Sequence, residues 1–251
     1  MNFVFDLDGT LCFSGKPITA PLVAALQEVE QKGHQVFFAS ARTIRDMLPV
    51  IDPSLHHHGM IGGNGSLGYQ QGHLLFSESF TPPLLAEVKS LMERFNASYL
   101  ADGDWDYAYT GPKDHYLFPH IDINQAAKNL PLGALNPIVK ILILSSSDLQ
   151  SLYDSLKELP VALLSHNQEP VIDINPLGVS KWSGLKKMGL QANRYIAFGN
   201  DSNDLPMFRN AHYSVMVGDH PDLKPWADDS IPTHPEANWE LIIADKIRSL
   251  L

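Results

Sequence analysis

Short apolar runs and amphipathic stretches alternate along the first eighty residues. The apolar runs 3–5, 35–39 and 59–62 have the length of buried strands, and residues 21–31 carry apolar side chains at helical spacing. A strand, a helix and a strand of this length form a parallel unit, so we expect the first two strands to lie side by side. Residues 68–76, with Gln-Gly at their centre, predict a hairpin.

The pattern changes after Thr81-Pro82-Pro83, because consecutive prolines interrupt regular structure. The following residues predict helices over 84–95 and 147–159 and strands over 97–100, 138–144, 161–164 and 171–174. After residues 175–178, the sequence predicts a helix from Ser180, strands over 194–198 and 213–217, and a helix over 239–250. We therefore predict one α/β domain formed by residues 1–81 and 177–251, with a small α+β module over 82–176 inserted into it.

Polar residues suited to catalysis follow the predicted core strands. Asp6 and Asp8 come after the first strand, Ser40 and Arg42 after the second, and residues 200–204 after strand 194–198. Ligands of open α/β sheets bind beyond these carboxyl ends. Two carboxylates so close repel each other unless a cation lies between them or one is protonated. The residues alone thus allow a Mg²⁺ site, a carboxylate nucleophile with a proton-transfer partner, or, with equal weight, an acidic turn.

Composition excludes several function classes. The chain has 251 residues, of which 44% are hydrophobic and 18% charged, and a net charge of −10, which argues against non-specific nucleic-acid binding. Its one cysteine, Cys12, excludes an internal disulfide, and no apolar stretch reaches the ~20 residues of a membrane span. The N-terminus lacks a signal-peptide pattern. We expect a cytoplasmic monomer or weak homodimer with no nucleic-acid or membrane partner.

The first acidic segment resembles a known sequence motif. Asp6-Leu7-Asp8-Gly9-Thr10-Leu11 resembles the DxDGT(L/V) signature of the haloacid dehalogenase (HAD) superfamily of phosphotransferases. The resemblance implies that Asp6 is the nucleophile that forms an aspartyl-phosphate. It also implies that Asp8 is the general acid and base, which protonates the leaving oxygen and then activates water.

Two further segments resemble the Cof-type branch of that superfamily. Phe38-Ala39-Ser40-Ala41-Arg42 is similar to its ATGR segment, with Ala41 in place of glycine, and implies that Ser40 binds the phosphoryl group. Gly62-Gly63-Asn64-Gly65 is similar to its NGA segment. Arg42 and Asn64 are thereby candidates for the rim of the substrate pocket, although a surface ion pair and a turn residue are equally good interpretations. Gly178-Val179-Ser180-Lys181 resembles the GVSKG segment and implies that Lys181 neutralises the nucleophile and the phosphate.

The last motif departs from the family pattern. The family has GDxxND, and this chain has Gly199-Asn200-Asp201-Ser202-Asn203-Asp204. Asn200 stands where the family has an aspartate that binds Mg²⁺ directly. An amide oxygen can bind Mg²⁺ but adds no charge, so either Asn200 or Asp201 is predicted to complete the metal site. The resemblance implies that Asn203 binds substrate phosphate and that Asp204 positions the lysine and the metal's waters.

Together the motifs identify the chain as similar to Cof-like HAD phosphatases of subclass IIB. The resemblance implies a Rossmann-like three-layer α/β/α core with an inserted α+β cap of the C2 type, and Mg²⁺-dependent hydrolysis of a small phosphorylated metabolite. Polar and aromatic cap residues favour a sugar phosphate: Asp102, Asp104, Trp105, Asp106, Tyr107, Tyr109, Lys113, His115 and Tyr116. Ordinary packing of these aromatic side chains is nearly as good an interpretation.

Two other functions fit the same residues. One is a sugar phosphomutase of the superfamily, which returns the phosphoryl group to the substrate. The other is a non-catalytic protein that binds a phosphometabolite, which the uncharged Asn200 allows. The run His56-His57-His58 favours a solvated loop over a metal site, because consecutive residues cannot all face one ion.

Overall fold

The computed structural model describes residues 1–165, 171–232 and 238–251. The first core segment forms β1 (Asn2–Phe5), α1 (Ala20–Gln31), β2 (Gln35–Ala39), α2 (Ile44–Met47), β3 (Gly59–Gly62), β4 (Leu67–Gln70) and β5 (His73–Ser77). The inserted segment forms α3 (Pro82–Arg94), β6 (Ser98–Asp102), β7 (Tyr107–Tyr109), β8 (Lys140–Ser145), α4 (Leu149–Lys157), β9 (Val161–Ser165) and β10 (Ile172–Pro176). The second core segment forms α5 (Lys181–Lys187), β11 (Tyr195–Gly199), α6 (Leu205–Phe208), β12 (Tyr213–Val217), β13 (Asp229–Ile231) and α7 (Trp239–Ser249).

The core sheet has the strand order β13-β12-β11-β1-β2-β3-β4-β5. Its strands from β13 to β3 are parallel, and the hairpin β4–β5 adds two antiparallel strands at one edge. Helices cover both faces: Phe3 and Phe5 of β1 belong to the apolar cluster that includes α1 and α7, whereas Val4 belongs to the cluster that includes α5 and α6. Alternation along a buried strand thus produces the three layers.

Residues 82–176, here called the cap, form a second sheet with the order β7-β6-β8-β10-β9 and antiparallel neighbours. Helices α3 and α4 pack on one face of it through an apolar cluster that contains Ile141, Ile143 and Ile174. The other face looks toward the core. The predicted α/β class with an inserted α+β cap is confirmed.

Some local predictions were wrong. Pro82 and Pro83 do not interrupt structure but begin α3, because a proline lacks only an amide that the first helical turn leaves unbonded anyway. Strand β7 was missed because its segment reads as polar, and β13 because Asp-Ser-Ile is too short to show a pattern. Across the described residues, no helix combines the length and the apolar character that crossing a bilayer requires.

Candidate active site

Three adjacent strands deliver polar side chains to one edge of the core sheet. Asp6 follows β1, Ser40 follows β2 and Asn200 follows β11, and β1 lies between the other two strands. The backbone hydrogen bonding between β1 and β11 continues to this edge, because the Asp6 amide donates to the Phe198 carbonyl at 2.9 Å. The Asp6 and Ser40 side chains are both buried, so their positions are fixed by strand pairing and by the surrounding core.

Lys181, the first residue of α5, reaches this edge from the second core segment. Its side chain is 0% exposed, and Nζ donates to Asp6 Oδ1 and to Asp204 Oδ1, both at 2.6 Å. A third donation goes to Asn203 Oδ1 at 3.2 Å. These three oxygen acceptors replace the water that the ammonium group loses on burial, so Lys181 can remain charged inside the protein.

The start of α5 is held in place by a cap and by a close backbone approach. Ser180 and Ser183 form reciprocal side-chain to backbone hydrogen bonds at the helix N-terminus. Gly65, with φ +118°, lies against this turn so closely that a Cβ atom there would come 2.1 Å from the Ser180 carbonyl oxygen. Glycine at position 65 therefore lets Lys181 approach Asp6.

Burial and charge act in opposite directions on this pair. Burial raises the pKa of Asp6 to about 7, although the attraction of Lys181 pulls it down. Burial alone would lower the pKa of Lys181, but the carboxylates of Asp204 and Asp6 hold it above its usual value. Lys181 thus stays charged, and Asp6 is the member of the pair whose protonation responds to the neighbouring groups.

The second oxygen of Asp6 faces a group of oxygen ligands. One terminal atom of the Asn200 amide lies 2.9 Å from the Asp8 carbonyl oxygen, 3.0 Å from Asp6 Oδ2 and 3.2 Å from Thr10 Oγ1. With its nitrogen there, Asn200 donates hydrogen bonds to these oxygens. With its oxygen there, the amide oxygen and its three neighbours form a group of four oxygens, as a cation site requires. Such hard ligands fit Mg²⁺. Gly9 makes the approach possible, because a Cβ atom there would lie 2.1 Å from the Asn200 amide.

Asp201, the alternative metal ligand, is oriented differently. Its Oδ1 accepts a hydrogen bond from the Ser202 amide at 2.6 Å and lies 3.2 Å from Nε2 of His220, a residue that sequence inspection did not single out. Asp204 Oδ2 accepts hydrogen bonds from the backbone amides of Asn200 and Asp201, at 2.8 and 3.1 Å. The geometry therefore brings Asn200, and not the Asp201 carboxylate, against Asp6 and the Asp8 carbonyl.

Asp8 is held by Arg42, a residue that lines the same cavity. Arg42 Nε and Nη2 donate to the two carboxylate oxygens of Asp8, each at 2.7 Å. The Asp8 side chain is 49% exposed, and it lines the same cavity as Asp6. To give a proton to a leaving oxygen, Asp8 has to release one of these two hydrogen bonds.

Asn64 does not lie at the rim of the pocket, where the sequence predicted it, and its role as a substrate-binding residue stays a prediction. It is buried in a left-handed conformation, with φ 59°. Its Nδ2 lies 3.2 Å from Asp173 Oδ2 and 3.1 Å from Asn175 Oδ1, and its Oδ1 accepts from Asn203 Nδ2 at 3.3 Å. It is absent from the lining of the cavity. Asn64 thus joins the last cap strand to Asn203, which lines the cavity.

Buried ion pairs connect the core to the cap. Nη2 of Arg45, on α2, donates to Asp46 at 2.6 Å and to Asp102 of the cap at 2.9 Å. Nη1 donates to the Trp105 carbonyl at 2.8 Å. Lys140 of β8 donates to the Ala41 carbonyl at 3.0 Å and pairs with Asp173 at 3.0 Å. Sequence inspection missed Arg45 and Lys140, because a charged residue on a short helix or at a strand end usually faces solvent.

A cavity of about 600 Å³ lies between this edge of the core and the cap. Asp6, Asp8, Ser40, Arg42, Asn200, Asp201 and Asn203 line its core side. Of the nine polar and aromatic cap residues named from the sequence, only Asp102 and Tyr116 line it. Two of the others form hydrogen bonds within the cap, Tyr109 to the Pro112 carbonyl and Trp105 to the Ala126 carbonyl. The Tyr107 ring lies under the Arg45 guanidinium of the core.

The histidine run is only partly a solvated loop. His57 lies 2.9 Å from Glu30 of α1, and its ring lies 4.0 Å from that of His58, centroid to centroid. His58 is buried, and its Nε2 has no hydrogen-bond partner among the described residues. None of these residues lines the cavity that contains Asp6.

Comparison with known proteins agrees with this geometry. A family model for haloacid dehalogenase-like hydrolases matches residues 3–238, so the chain belongs to that family. It is 25% identical over 249 residues to the 5-amino-6-(5-phospho-D-ribitylamino)uracil phosphatase YitU of Bacillus subtilis, covering 92% of each chain. It is 24% identical over 241 residues to the HMP-PP phosphatase of Cronobacter sakazakii, covering 85% of this chain and 82% of the relative.

Solved structures share the whole fold. A haloacid dehalogenase-like hydrolase from B. subtilis superposes with a TM-score of 0.82 at 19% identity, covering 100% of this chain and 99% of the other. A sugar phosphatase of HAD subclass IIB superposes with a TM-score of 0.76 at 17% identity, covering 99% and 98%. The chain thus belongs to the haloacid dehalogenase-like hydrolases, and the two relatives named above are phosphatases.

Proposed function

We propose that this protein is a Mg²⁺-dependent phosphatase that hydrolyses monoesters of small phosphorylated metabolites through an aspartyl-phosphate on Asp6. The observation that carries the proposal is the environment of Asp6. One of its oxygens accepts from the fully buried Lys181, the other faces the Asn200 amide, and the side chain lies at the floor of the cavity.

In the first step, the Asp6 carboxylate attacks phosphorus, and the bond between phosphorus and the alcohol oxygen breaks. The leaving oxygen keeps the electron pair and takes a proton from Asp8, for which Arg42 releases one carboxylate oxygen. In the second step, the Asp8 carboxylate removes a proton from water, whose oxygen attacks the phosphorus of the acyl phosphate. Inorganic phosphate leaves, and Asp6 and protonated Asp8 are restored.

Three further residues hold the phosphoryl group during both steps. Ser40 and Asn203 line the cavity with hydrogen-bonding side chains, and Lys181 supplies a fixed positive charge beside Asp6. Asp204 is a positioning residue, since it fixes Lys181 with one oxygen and the loop of Asn200 with the other. Fixed donors of this kind favour the transition state because they need no reorganisation.

Asp6, the Asp8 carbonyl and Asn200 are the groups that would hold Mg²⁺. Asp201, which lines the same cavity, is the alternative ligand. When bound, the ion would neutralise the negative charge that the carboxylates and the phosphate bring together. The amide at position 200 makes this ligand set one charge weaker than a set with aspartate there.

The relatives support small phosphorylated metabolites as substrates. YitU is named for a phosphorylated ribitylamino-uracil, the Cronobacter protein for HMP-PP, and one structural neighbour is described as a sugar phosphatase. A sugar phosphate stays a prediction from the sequence within this class.

The test is release of phosphate from p-nitrophenyl phosphate with and without Mg²⁺, by wild type, by Asp6→Asn and by Asp219→Asn as a matched control on an exposed loop. We expect Mg²⁺-dependent release that Asp6→Asn abolishes and Asp219→Asn retains. Wild type that releases no phosphate at any Mg²⁺ concentration would contradict the proposal and favour a binding protein. With glucose 6-phosphate as the substrate, isomerised sugar phosphate in place of free phosphate would favour a phosphomutase.

A further inference from the structure

The face of the cap sheet that looks toward the core divides into a polar part and an apolar part. Strand alternation puts Asp102, Lys140 and Asn175 on this face. Each of them bonds to the core: Asp102 to Arg45 at 2.9 Å, Lys140 to the Ala41 carbonyl at 3.0 Å and Asn175 to the Gly63 carbonyl at 2.9 Å. This polar part therefore serves to hold the cap against the core.

The apolar part lies beside these contacts: Leu100 and Leu142 are two residues from Asp102 and Lys140 along β6 and β8, and Val171 directly precedes β10. Leu100, Leu142 and Val171 form a cluster there, and all three line the cavity. Leu100 pairs directly with Leu142 across β6 and β8, so their side chains form a continuous surface. This surface offers no hydrogen-bonding group to a ligand.

The segment between β7 and β8 extends the apolar surface. Leu117 and Ile121 pack against the same cluster and line the same cavity. Tyr116 lies beside them with 45% of its side chain exposed and adds an aromatic ring to the lining. The cap side of the cavity thus has an aliphatic part with the Tyr116 ring beside it, and its other lining residues are His120, Asp102, Lys140 and Asp173.

The charged cap residues of the cavity do not compensate for this apolar wall. Asp102 is ion-paired with Arg45, and Lys140 with Asp173 at 3.0 Å. A polyol placed against the leucines would bury hydroxyl groups without hydrogen-bond partners, which is unfavourable. A flat ring buries its apolar faces there at no such cost, and its polar edge can face the polar residues of the cavity.

We propose that the preferred substrate is a phosphate monoester whose alcohol carries a flat ring, which lies against Leu100, Leu142 and Leu117, and not a simple sugar phosphate. This inference rests on the proposed phosphatase function. The cavity of about 600 Å³ has the size of sites that take ligands with such a ring and a linker to the phosphate.

The first test compares matched esters. Uridine 5′-phosphate is ribose 5-phosphate with a ring attached, and pyridoxine 5′-phosphate places a ring closer to the phosphate. We expect kcat/KM for at least one ring-bearing ester to exceed that for ribose 5-phosphate by roughly tenfold or more, the effect of a few apolar contacts in a pocket. A kcat/KM for ribose 5-phosphate equal to or above both would overturn the inference.

The second test changes the wall. Leu142→Asn should reduce the preference for the ring-bearing ester to within about twofold, whereas Leu75→Asn, at a leucine that is 54% exposed on β5, should leave it unchanged. If Leu142→Asn does not fold, Leu117→Asn at a partly buried position serves the same purpose. A preference that survives in the folded wall variants would contradict the assignment.

Calorimetry of the Asp6→Asn variant separates this inference from the proposed function. The ring-bearing ester should bind with a more negative heat-capacity change than ribose 5-phosphate, and adding Leu142→Asn should remove the difference, because apolar burial is its source. Equal binding of both esters would overturn the inference even if wild type is an active phosphatase. Ring-selective binding without any turnover by wild type would support the inference and overturn the proposed function.

Discussion

Replacing Lys181 by methionine tests the electrostatic design of the site. Methionine has nearly the same shape as lysine, so Lys181→Met removes the charge and leaves the volume. The variant leaves the carboxylates of Asp6 and Asp204, each 2.6 Å from the missing nitrogen, buried without a cation. Both effects of the substitution, on stability and on catalysis, therefore come from the loss of one positive charge.

Removing one partner of a buried charge pair destabilises a protein by about 3–5 kcal/mol. Protonation of Asp6 can relieve part of this loss. Its pKa is already raised to about 7 by burial, and loss of Lys181 raises it further. Because the native variant then binds a proton that the unfolded chain releases, its stability is greatest at low pH and falls as the pH rises through the raised pKa. We therefore expect a larger difference from wild type at pH 8 than at pH 5.5.

The assay is urea unfolding at both pH values, together with phosphate release. Lys186→Met changes an exposed lysine of the same helix and should stay within about 0.5 kcal/mol of wild type. The double variant Lys181→Met/Asp204→Asn should regain part of the lost stability and none of the activity. If Lys181→Met unfolds within about 1 kcal/mol of wild type at pH 8, or if Asp204→Asn does not compensate, the reasoning about this buried triad is wrong.

Three further predictions concern single positions. Burial, followed by the charge of His57, lowers the pKa of His58 from 6.5 to about 4, so acid should cost wild type up to about 3 kcal/mol between these values. His58→Leu should lack this loss in urea unfolding at pH 7.5 and 4.5, and an unchanged pH dependence would contradict it. Burial and, next, the charge of Asp8 raise the pKa of the Cys12 thiol to about 12, so Ellman's reagent should react at least roughly a hundredfold more slowly with native than with urea-unfolded protein at pH 8. Equal rates would contradict the burial of Cys12. Asn200→Asp adds a carboxylate against Asp6 and the Asp8 carbonyl, so calorimetry should show Mg²⁺ binding tightened by about tenfold and, without Mg²⁺, a lower melting temperature. Unchanged Mg²⁺ affinity would argue against position 200 as a ligand.

The core strands were predictable because each is a short apolar run that ends in a distinctive polar residue. Asp6 and Ser40 follow directly from such ends, and parallel pairing brings them to one edge. The position of Lys181 was available only through its motif, since nothing in a lone lysine after a glycine turn shows that it will be fully buried.

Long-range contacts account for what the sequence did not show. Asn64 meets Asp173 and Asn175 more than a hundred residues later, so its place beneath the cap could not be recognised from a glycine-rich turn. From the sequence, Arg45 is expected to be a solvent-exposed helix residue, because its partner Asp102 is far along the chain in the cap. The apolar wall of Leu100 and Leu142 was also hidden, because strand alternation alone does not say which face meets the cavity.

The most direct test of the account is a search for the phosphoryl group on Asp6. Asp8→Asn removes the base that activates water, so the acyl phosphate should accumulate when this variant is mixed with p-nitrophenyl phosphate and Mg²⁺ and quenched in acid. Mass spectrometry should find one hydroxylamine-sensitive phosphoryl group on the peptide that contains Asp6, and none when Asp6→Asn is added. A wild type that turns over the ester while no phosphoryl group is ever found on Asp6 would contradict the central claim.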